Sequence, residues 1–510
     1  MINKIKNSSC EIIHAENFDH IYKKFGYSSA PEYAKKIIEV FNKNNSTILI
    51  SGGFVRDVYL KKLPSDIDFV TDLIPESVEN LLKEKFQGEY KKLELQGKTF
   101  GVIRIIFNSG ENYEIATFRK DGNYTDGIHP DKIEIISNPQ EDSKRRDFTI
   151  NALFYDPIKS EIIDCVSGID DLENKKLRFV GDPDVRIGED KSRMLRYVRF
   201  LIKTGFNSEK RAEISIKKHA DQISIVPREL IKKELDKAIE IDKDFQLLEL
   251  LDRFELLKYL FPDIKNLENC KQGPPFHLEG DALIHTKLVY KNLQNENPNA
   301  ILKWASIFHD IGKFKTEKIE IINGKKSVSF PNHDKVGARI TKKILKDFKF
   351  NKYDVEKIVW LVENHLIVLF EIGKILKNNK KEIAREKLII IFKKYIKLFG
   401  EEQVLNLLKL GRADSNACIF ESGPVNDDNF FNIVYKFIKL ANNDLLNDIR
   451  LGIIPEKIIN GKLIMNKLQI SSGKKIGQIK KFLMSEVLNK RFLSKKHFIS
   501  YVEKLLEKFK

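Results

Sequence analysis

The spacing of hydrophobic and polar residues changes near residue 180. Before that point, short apolar runs alternate with Gly, Asp and Asn turns, a pattern that indicates strands with helices between them. We predict strands at 47–50, 67–70, 102–106 and 113–117 and a helix over 75–86. From Asp184 onward apolar residues recur three and four positions apart, which favours helices. The sequence therefore predicts an α+β head followed by a long helical body.

Two segments rich in Gly and Pro interrupt the helical pattern of the body. They lie at 271–275 and 421–428 and place domain boundaries near 272 and 425. We therefore expect four domains, which are a head over 20–182, a helical neck over 183–270, a third domain over 275–422 and a helical tail over 428–510.

A glycine turn in the head has the sequence expected of a phosphate site. Residues 47–57 predict a strand, a Ser-Gly-Gly turn and a helix that opens near Phe54. Free N–H groups at such a helix start, reached through Gly52 and Gly53, let a triphosphate approach the backbone closely. The side chain of Arg56 would add a charged fork to the same anion.

Two carboxylates follow this turn after one short helix. Asp66 and Asp68 lie two residues apart on a predicted strand, so they point to one face. Such a pair is often only the solvent-facing edge of a strand, but behind a glycine turn it favours a pair of divalent cations that serve nucleotidyl transfer. Glu114, on the predicted strand 113–117, would be a third carboxylate.

The third domain carries a series of histidine and aspartate residues. Imidazole and carboxylate together suit divalent ions such as manganese, iron, nickel or zinc. Any one of these histidines could be a packed or surface residue, but six positions in this order indicate a metal site. The series comprises His285, His309, Asp310, His333, His365 and Asp414.

Charge and cysteine content narrow the function classes further. The 510 residues carry a formal charge of +16, and residues 456–510 contribute +10 of it, from fourteen basic and four acidic residues. This basic tail suits an RNA backbone, and the Lys-rich composition of the whole chain is an equally good explanation of its charge. The four cysteines show no paired spacing and no apolar run approaches the roughly 20 residues that span a bilayer, so we expect a cytoplasmic protein without disulfides or membrane insertion.

At this point the sequence resembles the class II CCA-adding tRNA nucleotidyltransferases and the related bacterial poly(A) polymerases. The matching segments, in the family's order, are GGFVRD at 52–57, DID at 66–68, RRDFTINAL at 145–153 and EDKSRMLRYVRF at 189–200. The resemblance implies a polymerase-beta-like head with a small mixed sheet, an all-α neck and a helical tail. It also implies that Gly53 and Arg56 contact the nucleotide, that Asp66 and Asp68 hold Mg²⁺, and that Arg146 and Asp147 line the ribose and phosphate side.

The same resemblance assigns base reading to the segment after residue 189. The residues concerned are Asp190, Arg193, Arg196 and Arg199. The three arginines recur at i, i+3 and i+6, and we expect Asp190 to lie near the same helical stripe. Arginine stripes are often only ion-paired surface. Here, however, an Asp acceptor beside an Arg donor matches the pairing edges of cytosine and adenine and mispairs with guanine and uracil.

One loop departs from the family pattern. At 124–130 the family usually has a basic residue after Asp-Gly, whereas this chain has Ile128.

The third domain is similar to the HD superfamily of metal-dependent phosphohydrolases, which are all-α domains. By that resemblance the first metal is held by residues matching His285, His309, Asp310 and Asp414. His333 and His365 match forms with additional ligands, and Lys313 would meet a substrate phosphate. A folded spacer that keeps its ligands only for stability is the alternative.

The expected function is template-independent addition of C and A from CTP and ATP to the 3′ end of tRNA, together with a phosphohydrolase activity of the HD domain. Poly(A) synthesis and CC-only or A-only addition share the same motifs and remain alternatives. A further alternative is a phosphohydrolase, or a scaffold without activity, whose head only binds RNA.

Overall fold

In the computed structural model, residues 4–7, 10–96, 101–273, 277–322, 325–420, 428–451, 453, 455–470, 473–488, 492 and 494–509 are described. The predicted boundary at 425 and Pro274–Pro275 of the first break lie outside the described residues. The described chain divides into two compact units. The first runs to Asp242 and resumes over Glu249–Leu260, so it contains the predicted head and most of the neck. The second comprises Lys243–Leu248 and the chain from Phe261 onward.

The strands of the first unit confirm the α+β prediction. They are β1 (Lys4–Asn7), β2 (Cys10–His14), β3 (Ile48–Ser51), β4 (Asp68–Thr71), β5 (Tyr90–Gln96), β6 (Val102–Phe107), β7 (Asn112–Thr117), β8 (Arg119–Asp121), β9 (Ile133–Ile135), β10 (Phe154–Asp156), β11 (Glu161–Asp164), β12 (Lys176–Leu177) and β13 (Asn207–Ser208). Nine of them form one sheet in the order β1-β2-β11-β10-β3-β4-β7-β6-β5. The sheet is mixed, because β4 and β7 run parallel while the other neighbouring strands are antiparallel.

Helices pack around this sheet and continue into the neck. They are α1 (Phe18–Lys24), α2 (Glu32–Lys43), α3 (Gly53–Tyr59), α4 (Pro75–Lys85), α5 (Pro139–Lys144), α6 (Gly168–Glu173), α7 (Pro183–Glu189), α8 (Arg193–Thr204), α9 (Lys210–His219), α10 (Arg228–Ile241), α11 (Leu247–Arg253) and α12 (Leu257–Leu260). Strands β3 and β4 are almost wholly buried, because their apolar runs lie in the middle of the sheet between these helices. This position brings the ends of β3 and β4 to the site described below.

The N-terminal hairpin corrects two expectations. Strands β1 and β2 belong to the head sheet, although they precede residue 20, where we placed the start of the head. Cys10 and Cys165 form a disulfide, so the expectation that the cysteines stay unpaired is wrong for these two. The pairing of β2 with β11 sets Glu11 opposite Asp164, and the next position along both strands brings the two cysteines together. Cys270 and Cys418 are free.

The second unit is helical, as predicted, with one hairpin added. Its helices are α13 (Pro262–Lys265), α14 (Ala282–Asn292), α15 (Ala300–Phe308), α16 (Lys313–Thr316), α17 (His333–Asp347), α18 (Lys352–Asn364), α19 (Gly373–Asn378), α20 (Lys381–Phe399), α21 (Glu401–Ala417), α22 (Asp428–Arg450), α23 (Pro455–Ile458), α24 (Gly461–Leu468), α25 (Lys474–Leu488) and α26 (Lys495–Leu506). The hairpin consists of β14 (Lys318–Ile322) and β15 (Lys325–Ser329). The tail has its own hydrophobic cluster, which includes Ile464, Leu483 and Phe498.

Candidate active site and metal centre

The glycine turn lies where the sequence predicts it. Strand β3 ends at Ser51, Gly52 adopts a φ of 67°, and helix α3 begins at Gly53. A positive φ suits glycine, which has no side chain to clash with its own backbone. A Cβ at Gly52 would lie 3.5 Å from a guanidinium nitrogen of Arg146, which is ordinary van der Waals contact. The turn thus leaves room for an anion at the start of α3.

Three carboxylates lie beside this turn. Asp68, the first residue of β4, pairs with Ser51 of β3 on one side and with Glu114 of β7 on the other. Asp66 precedes β4 and is not part of a strand, so the prediction of two residues on one strand is wrong in that detail. Burial in the cleft raises the pKa of Asp68 to about 6, with further contributions from Glu114 and Asp66, while Arg146 acts to lower it. Gathered negative charge of this kind is stabilised by a cation.

One cavity of about 650 Å³ brings the predicted head residues together. Those that line it are Gly52, Gly53, Arg56, Asp66, Asp68, Glu114, Arg146, Asp147, Asp190, Arg193 and Arg196. Arg199 is not among the lining residues, because its Nε donates to Oε2 of the buried Glu234 at 2.7 Å. The cavity is large enough for a nucleotide.

The segment to which base reading was assigned from sequence differs from the predicted stripe. Helix α7 ends at Glu189 and α8 begins at Arg193, so Asp190 lies in the turn between two helices. Its Oδ1 accepts a hydrogen bond from the backbone N–H of Ser192 at 2.8 Å, a local bond that competes with helix formation. Asp190 nevertheless lines the same cavity as Arg193 and Arg196.

Arg196 is held in place and remains accessible. Its Nε donates to Oδ2 of Asp147 at 3.1 Å, and its side chain is 36% exposed. The side chain of Arg193 is only 7% exposed and pairs with Glu189. Burial acts to raise the pKa of Asp147, but Arg196, with hydrogen bonds from Asn151 and the backbone, lowers it to about 2. Arg196 is therefore the better placed of the two arginines to meet a ligand.

A hydrogen-bond chain links this pair to the glycine turn. Arg56 is buried and donates to Asp57 at 2.8 Å and to Oδ1 of Asn151 at 2.6 Å. The amide of Asn151 in turn donates to Asp147 at 3.2 Å. Asn151 lies in a matched segment, but we did not single it out from the sequence.

Asp142 is a second residue that sequence reasoning missed. Its buried carboxylate accepts from Nε of Arg145 at 2.8 Å and from Nε of Arg146 at 3.0 Å. It also accepts from the backbone N–H of Arg119 at 3.1 Å. The spacing of three and four residues from an acid to two arginines on a helix was the signal that could have identified it.

The loop with the unusual Ile128 lies at the cavity wall. Ile128 and His129 both line the cavity. Asp126 fixes the loop by accepting from the backbone N–H groups of both residues, at 2.8 and 2.7 Å. These bonds, together with that of the His129 ring, lower the pKa of Asp126 to about 2.

In the second unit, the histidine and aspartate series forms two adjacent groups of possible metal ligands. His285, His309 and Asp414 form one group, and Asp310, His333 and His365 form the other. Within each group the ligand atoms lie within 4.8 Å of one another. The groups adjoin, since Nε2 of His285 is 3.7 Å from Oδ2 of Asp310. The predicted first set thus takes members from both groups.

The remaining ring nitrogens are engaged in a way that suits metal ligation. His309, His333 and His365 each have Nδ1 at 2.7–2.8 Å from the backbone carbonyl three residues earlier. A carbonyl only accepts, so Nδ1 carries the hydrogen and Nε2 presents its lone pair to the centre. His285 differs, because its Nδ1 faces Oε1 of Glu279 at 2.9 Å.

The donor set fits a divalent cation. Within the part of the chain that is described, the buried Nε2 of His309 makes no hydrogen bond. Burial acts to lower the pKa of His285, but hydrogen bonds to Asp414 and Glu279 raise it to about 9. The carboxylates therefore favour positive charge at this point, and imidazole with carboxylate suits manganese, iron, nickel or zinc.

A close backbone contact holds these elements together. A Cβ at Gly312 would lie 2.1 Å from the carbonyl oxygen of His333 and 2.6 Å from the backbone nitrogen of Gly337. The turn that carries His309 and Asp310 therefore packs directly on the start of α17.

A pocket of about 530 Å³ opens beside the two ligand groups. Lys313 lines it, with Nζ 2.6 Å from Oδ2 of Asp310, together with His277 and Phe330. His277 and its partner Glu279 had not been singled out from the sequence. Their spacing, His-x-Glu before a helix, carried no specific signal.

Three family models match separate parts of the chain. The model described as "Poly A polymerase head domain" matches residues 48–178, and the "HD domain" model matches residues 283–414. The model described as "Probable RNA and SrmB- binding site of polymerase A" matches residues 205–267. The CCA-adding enzyme of Oceanobacillus iheyensis is 36% identical over 292 residues, which cover 54% of this chain and 70% of that protein.

The chain belongs to the family of CCA-adding enzymes and bacterial poly(A) polymerases.

Other members of this family match over shorter stretches. The CCA-adding enzyme of Lactobacillus helveticus is 36% identical over 227 residues, 42% of this chain and 54% of that protein. The chain thus spans little more than half the length of the first curated relatives it matches. The crystal structure of the Bacillus stearothermophilus CCA-adding enzyme in complex with CTP shares the fold, with a TM-score of 0.61 at 19% identity, over 93% of this chain and 97% of that chain.

The family match agrees with the fold class predicted from sequence. The mixed sheet and the HD domain are both confirmed. Among the described residues, no helix has the length and apolar character needed to cross a bilayer.

Proposed function

We propose that this chain adds C and A nucleotides to the 3′ end of tRNA, without a template, in the cavity of the head. The observation that carries this proposal is the meeting of Asp66, Asp68 and Glu114 with the Gly52–Gly53 turn in one cavity of nucleotide size. Membership of the family of CCA-adding enzymes supports it.

Asp66 and Asp68 would hold Mg²⁺ ions, with Glu114 beside them, because carboxylate oxygens are the ligands that magnesium prefers. The ions would activate the attacking hydroxyl and neutralise charge on the leaving group. In the reaction, the 3′-hydroxyl of the tRNA attacks the α-phosphate of CTP or ATP and pyrophosphate leaves. The N–H groups at the start of α3 would hold the triphosphate, with Arg146 close to the same turn.

The geometry favours Asp190 and Arg196 as the base-reading pair. The local bond to Ser192 uses Oδ1 of Asp190 and leaves Oδ2 as an acceptor. Asp147 engages Nε and Nη2 of Arg196 and leaves Nη1 as a donor. One acceptor and one donor match the amino group and ring nitrogen of cytosine or adenine. Arg199, paired with Glu234, would support the helix instead.

Addition assays separate this proposal from its alternatives within the family. The full chain would be incubated with tRNA that lacks its 3′ CCA and with each labelled nucleotide alone and together. We expect C, C and A to be added in turn. Growth of A tails on arbitrary RNA would instead identify a poly(A) polymerase, and addition of only C or only A would identify a partial enzyme.

We also propose that the HD domain hydrolyses phosphate esters with a bound divalent transition metal. His285, His309, Asp310 and Asp414 would hold the first ion, with His333 and His365 as further ligands. Lys313, at the wall of the adjoining pocket, would then meet a substrate phosphate. The alternative hypothesis is that these residues only stabilise the fold and that the HD domain has no hydrolase activity.

Paired substitutions test whether the head is catalytic or only an RNA-binding module. Changing Asp66 and Asp68 to Ala should abolish nucleotide addition and leave metal-dependent phosphatase activity. Changing His309 to Ala is the reciprocal control, since it should abolish phosphatase activity and leave addition. Addition that survives the loss of both aspartates would refute the assignment of the head.

RNA would be held outside the cavity as well. The neck matches the RNA-binding model over 205–267, and we propose that the basic tail contributes further phosphate contacts. We propose a cytoplasmic location, which only the proposed tRNA substrate supports, because the Cys10–Cys165 disulfide removes the argument from cysteine spacing.

A further inference from the structure

His277 and Glu279 form a hydrogen-bonded pair at the wall of the HD pocket. Neither residue belongs to the two groups of possible metal ligands that contain Asp310 and Asp414. Nδ1 of His277 lies 2.7 Å from Oε1 of Glu279. The side chain of Glu279 is only 1% exposed, whereas that of His277 is 24% exposed and lines the pocket. In this pair, Glu279 therefore lies inside the protein and His277 lies at the pocket.

Glu279 is fixed by contacts to both of its oxygens. Oε1 also faces Nδ1 of His285 at 2.9 Å, and Oε2 accepts from the backbone N–H of Ile419 at 2.9 Å. An ionised carboxylate is acceptor-only, so Nδ1 of His277 carries the hydrogen in this pair. The hydrogen bond from Nδ1 to Glu279 therefore fixes the orientation of the His277 ring.

The other nitrogen of His277 is available to a ligand in the pocket. Among the described residues none makes a hydrogen bond to its Nε2. The ring lies next to the predicted metal centre, with its centroid 5.2 Å from that of His285. A carboxylate-backed imidazole that presents Nε2 beside a reaction centre is the arrangement used for proton transfer.

We infer that His277 is the proton donor to the leaving oxygen when the HD domain hydrolyses a phosphate ester, and that Glu279 is its positioning residue. This inference rests on the proposed phosphohydrolase activity. In the reaction, an oxygen from water bonds to phosphorus while the bond from phosphorus to the ester oxygen breaks. The electron pair of that bond stays on the ester oxygen, which takes the Nε2 proton of the imidazolium form of His277 and leaves the neutral ring with its hydrogen on Nδ1, beside Glu279. The neutral imidazole then regains a proton from solvent.

The dependence of rate on the leaving group tests this role. An alkoxide is a poor leaving group and needs the proton, whereas p-nitrophenolate is stable without it. The metal-loaded full chain would therefore be assayed with benzyl phosphate and with p-nitrophenyl phosphate, which both carry one aromatic ring. We expect His277→Gln to lower kcat for benzyl phosphate by roughly 100-fold to 10,000-fold, and kcat for p-nitrophenyl phosphate by less than about tenfold.

Two further variants separate positioning from structure. Glu279→Gln should lower kcat for benzyl phosphate more than kcat for p-nitrophenyl phosphate, because the amide no longer requires the hydrogen on Nδ1. Leu278→Ala, at an exposed position between the two residues, is the matched control and should change neither rate. Equal losses with both substrates in His277→Gln would overturn the inference.

Metal binding provides a readout that does not depend on activity. His277, Glu279, His285 and Cys418 also offer ligand atoms within 4.8 Å of one another. Calorimetric titration with Mn²⁺ should give the same affinity for wild type and His277→Gln. A tenfold or greater loss would make His277 a metal ligand and overturn its role as proton donor. A wild-type chain that binds Mn²⁺ but hydrolyses neither substrate would instead refute the hydrolase proposal itself.

Discussion

Asp142 acts on the cavity of the head through the two arginines that it holds. Its carboxylate is fully buried and bonds to both Arg145 and Arg146, and burial makes such a charge dependent on its partners. Arg146 in turn contacts the backbone carbonyl of Asn151 at 3.4 Å and adjoins Gly52. Asp142 does not line the cavity, yet it thus fixes the position of Arg146, which does.

We expect Asp142→Asn to destabilise the head strongly. The neutral amide leaves two guanidinium groups without their counter-charge, at a cost of about 3 kcal/mol or more. Native-state hydrogen exchange of peptides from α3 and α5 would measure the loss of opening free energy. Glu141→Gln is the control on the same helix, because Glu141 pairs with Lys144 at the surface and should cost less than about 0.5 kcal/mol. Equal costs for the two variants would contradict the role of Asp142.

The pair of Asp147 and Arg196 predicts a loss of stability in acid. The pKa of Asp147 is about 2 in the folded chain, below its ordinary value of 3.8, so the carboxylate stabilises the fold above pH 4. That contribution, on the order of 2 kcal/mol, is lost as the pH falls from about 4 to 2. Asp147→Asn should be less stable than wild type at pH 7, and the two chains should converge towards pH 2. Hydrogen exchange in α8, corrected for intrinsic rates, would measure this difference, and a gap that does not change with pH would contradict it.

The spacing of residues in the sequence predicted which residues line the cavity better than it predicted the contacts between those residues. Gly52, Asp66 and Asp68, which all line the cavity, could be predicted from short motifs because each motif is contained in a few consecutive residues. Arg199 shares the spacing of Arg193 and Arg196, yet it is paired with Glu234, which lies 35 residues away in sequence. Sequence periodicity gives the face of a helix, but it does not give the residue that packs against it.

At the scale of secondary structure, the disulfide links two neighbouring strands of the head sheet, next to its edge strand β1. It joins β2 to the residue that follows β11, across 155 positions of sequence. No local pattern reports such a pairing, which depends on the register between two distant strands. The strands and helices predicted from periodicity were confirmed, whereas this long-range bond was missed for that reason.

Peptide mapping without reductant tests the disulfide. We expect a cross-linked peptide that contains Cys10 and Cys165, and no link that involves Cys270. Cys165→Ser should lower the opening free energy of β2 amides by about 2 to 4 kcal/mol, because the long closed loop is released. Cys270→Ala, at a buried free cysteine, is the control and should leave β2 unchanged. Recovery of both cysteines as free thiols from unreduced protein would contradict the assignment.

At the scale of the whole chain, positive charge is concentrated in a part of the sequence far from the residues that line the cavity of the head. Residues 456–510 hold +10 of the formal charge of +16, and the described residues among them form helices with their own hydrophobic cluster. A folded basic surface can contact several phosphates of one RNA at once.

The tail should therefore set the salt dependence of tRNA binding. We expect replacement of the exposed Lys474, Lys475 and Lys481 by Gln to weaken binding and to reduce the slope of log Kd against log salt by up to about 2 to 3. Binding would be measured by filter retention across a salt series. The control has the same charge change on α17, at Lys342, Lys343 and Lys346. Equal slopes for the two triple variants would contradict a specific role for the tail.

The two histidine-bearing segments of the HD centre can lie this close together only because residue 312 is a glycine and has no side chain. With alanine at this position, the His309–Asp310 turn and the first turn of α17 would have to separate, because the added carbon would overlap the carbonyl of His333. The sequence of such a chain would still contain every predicted metal ligand, but its fold would not bring them together. A search of the sequence for metal ligands would therefore predict a metal centre that the backbone of this variant no longer forms.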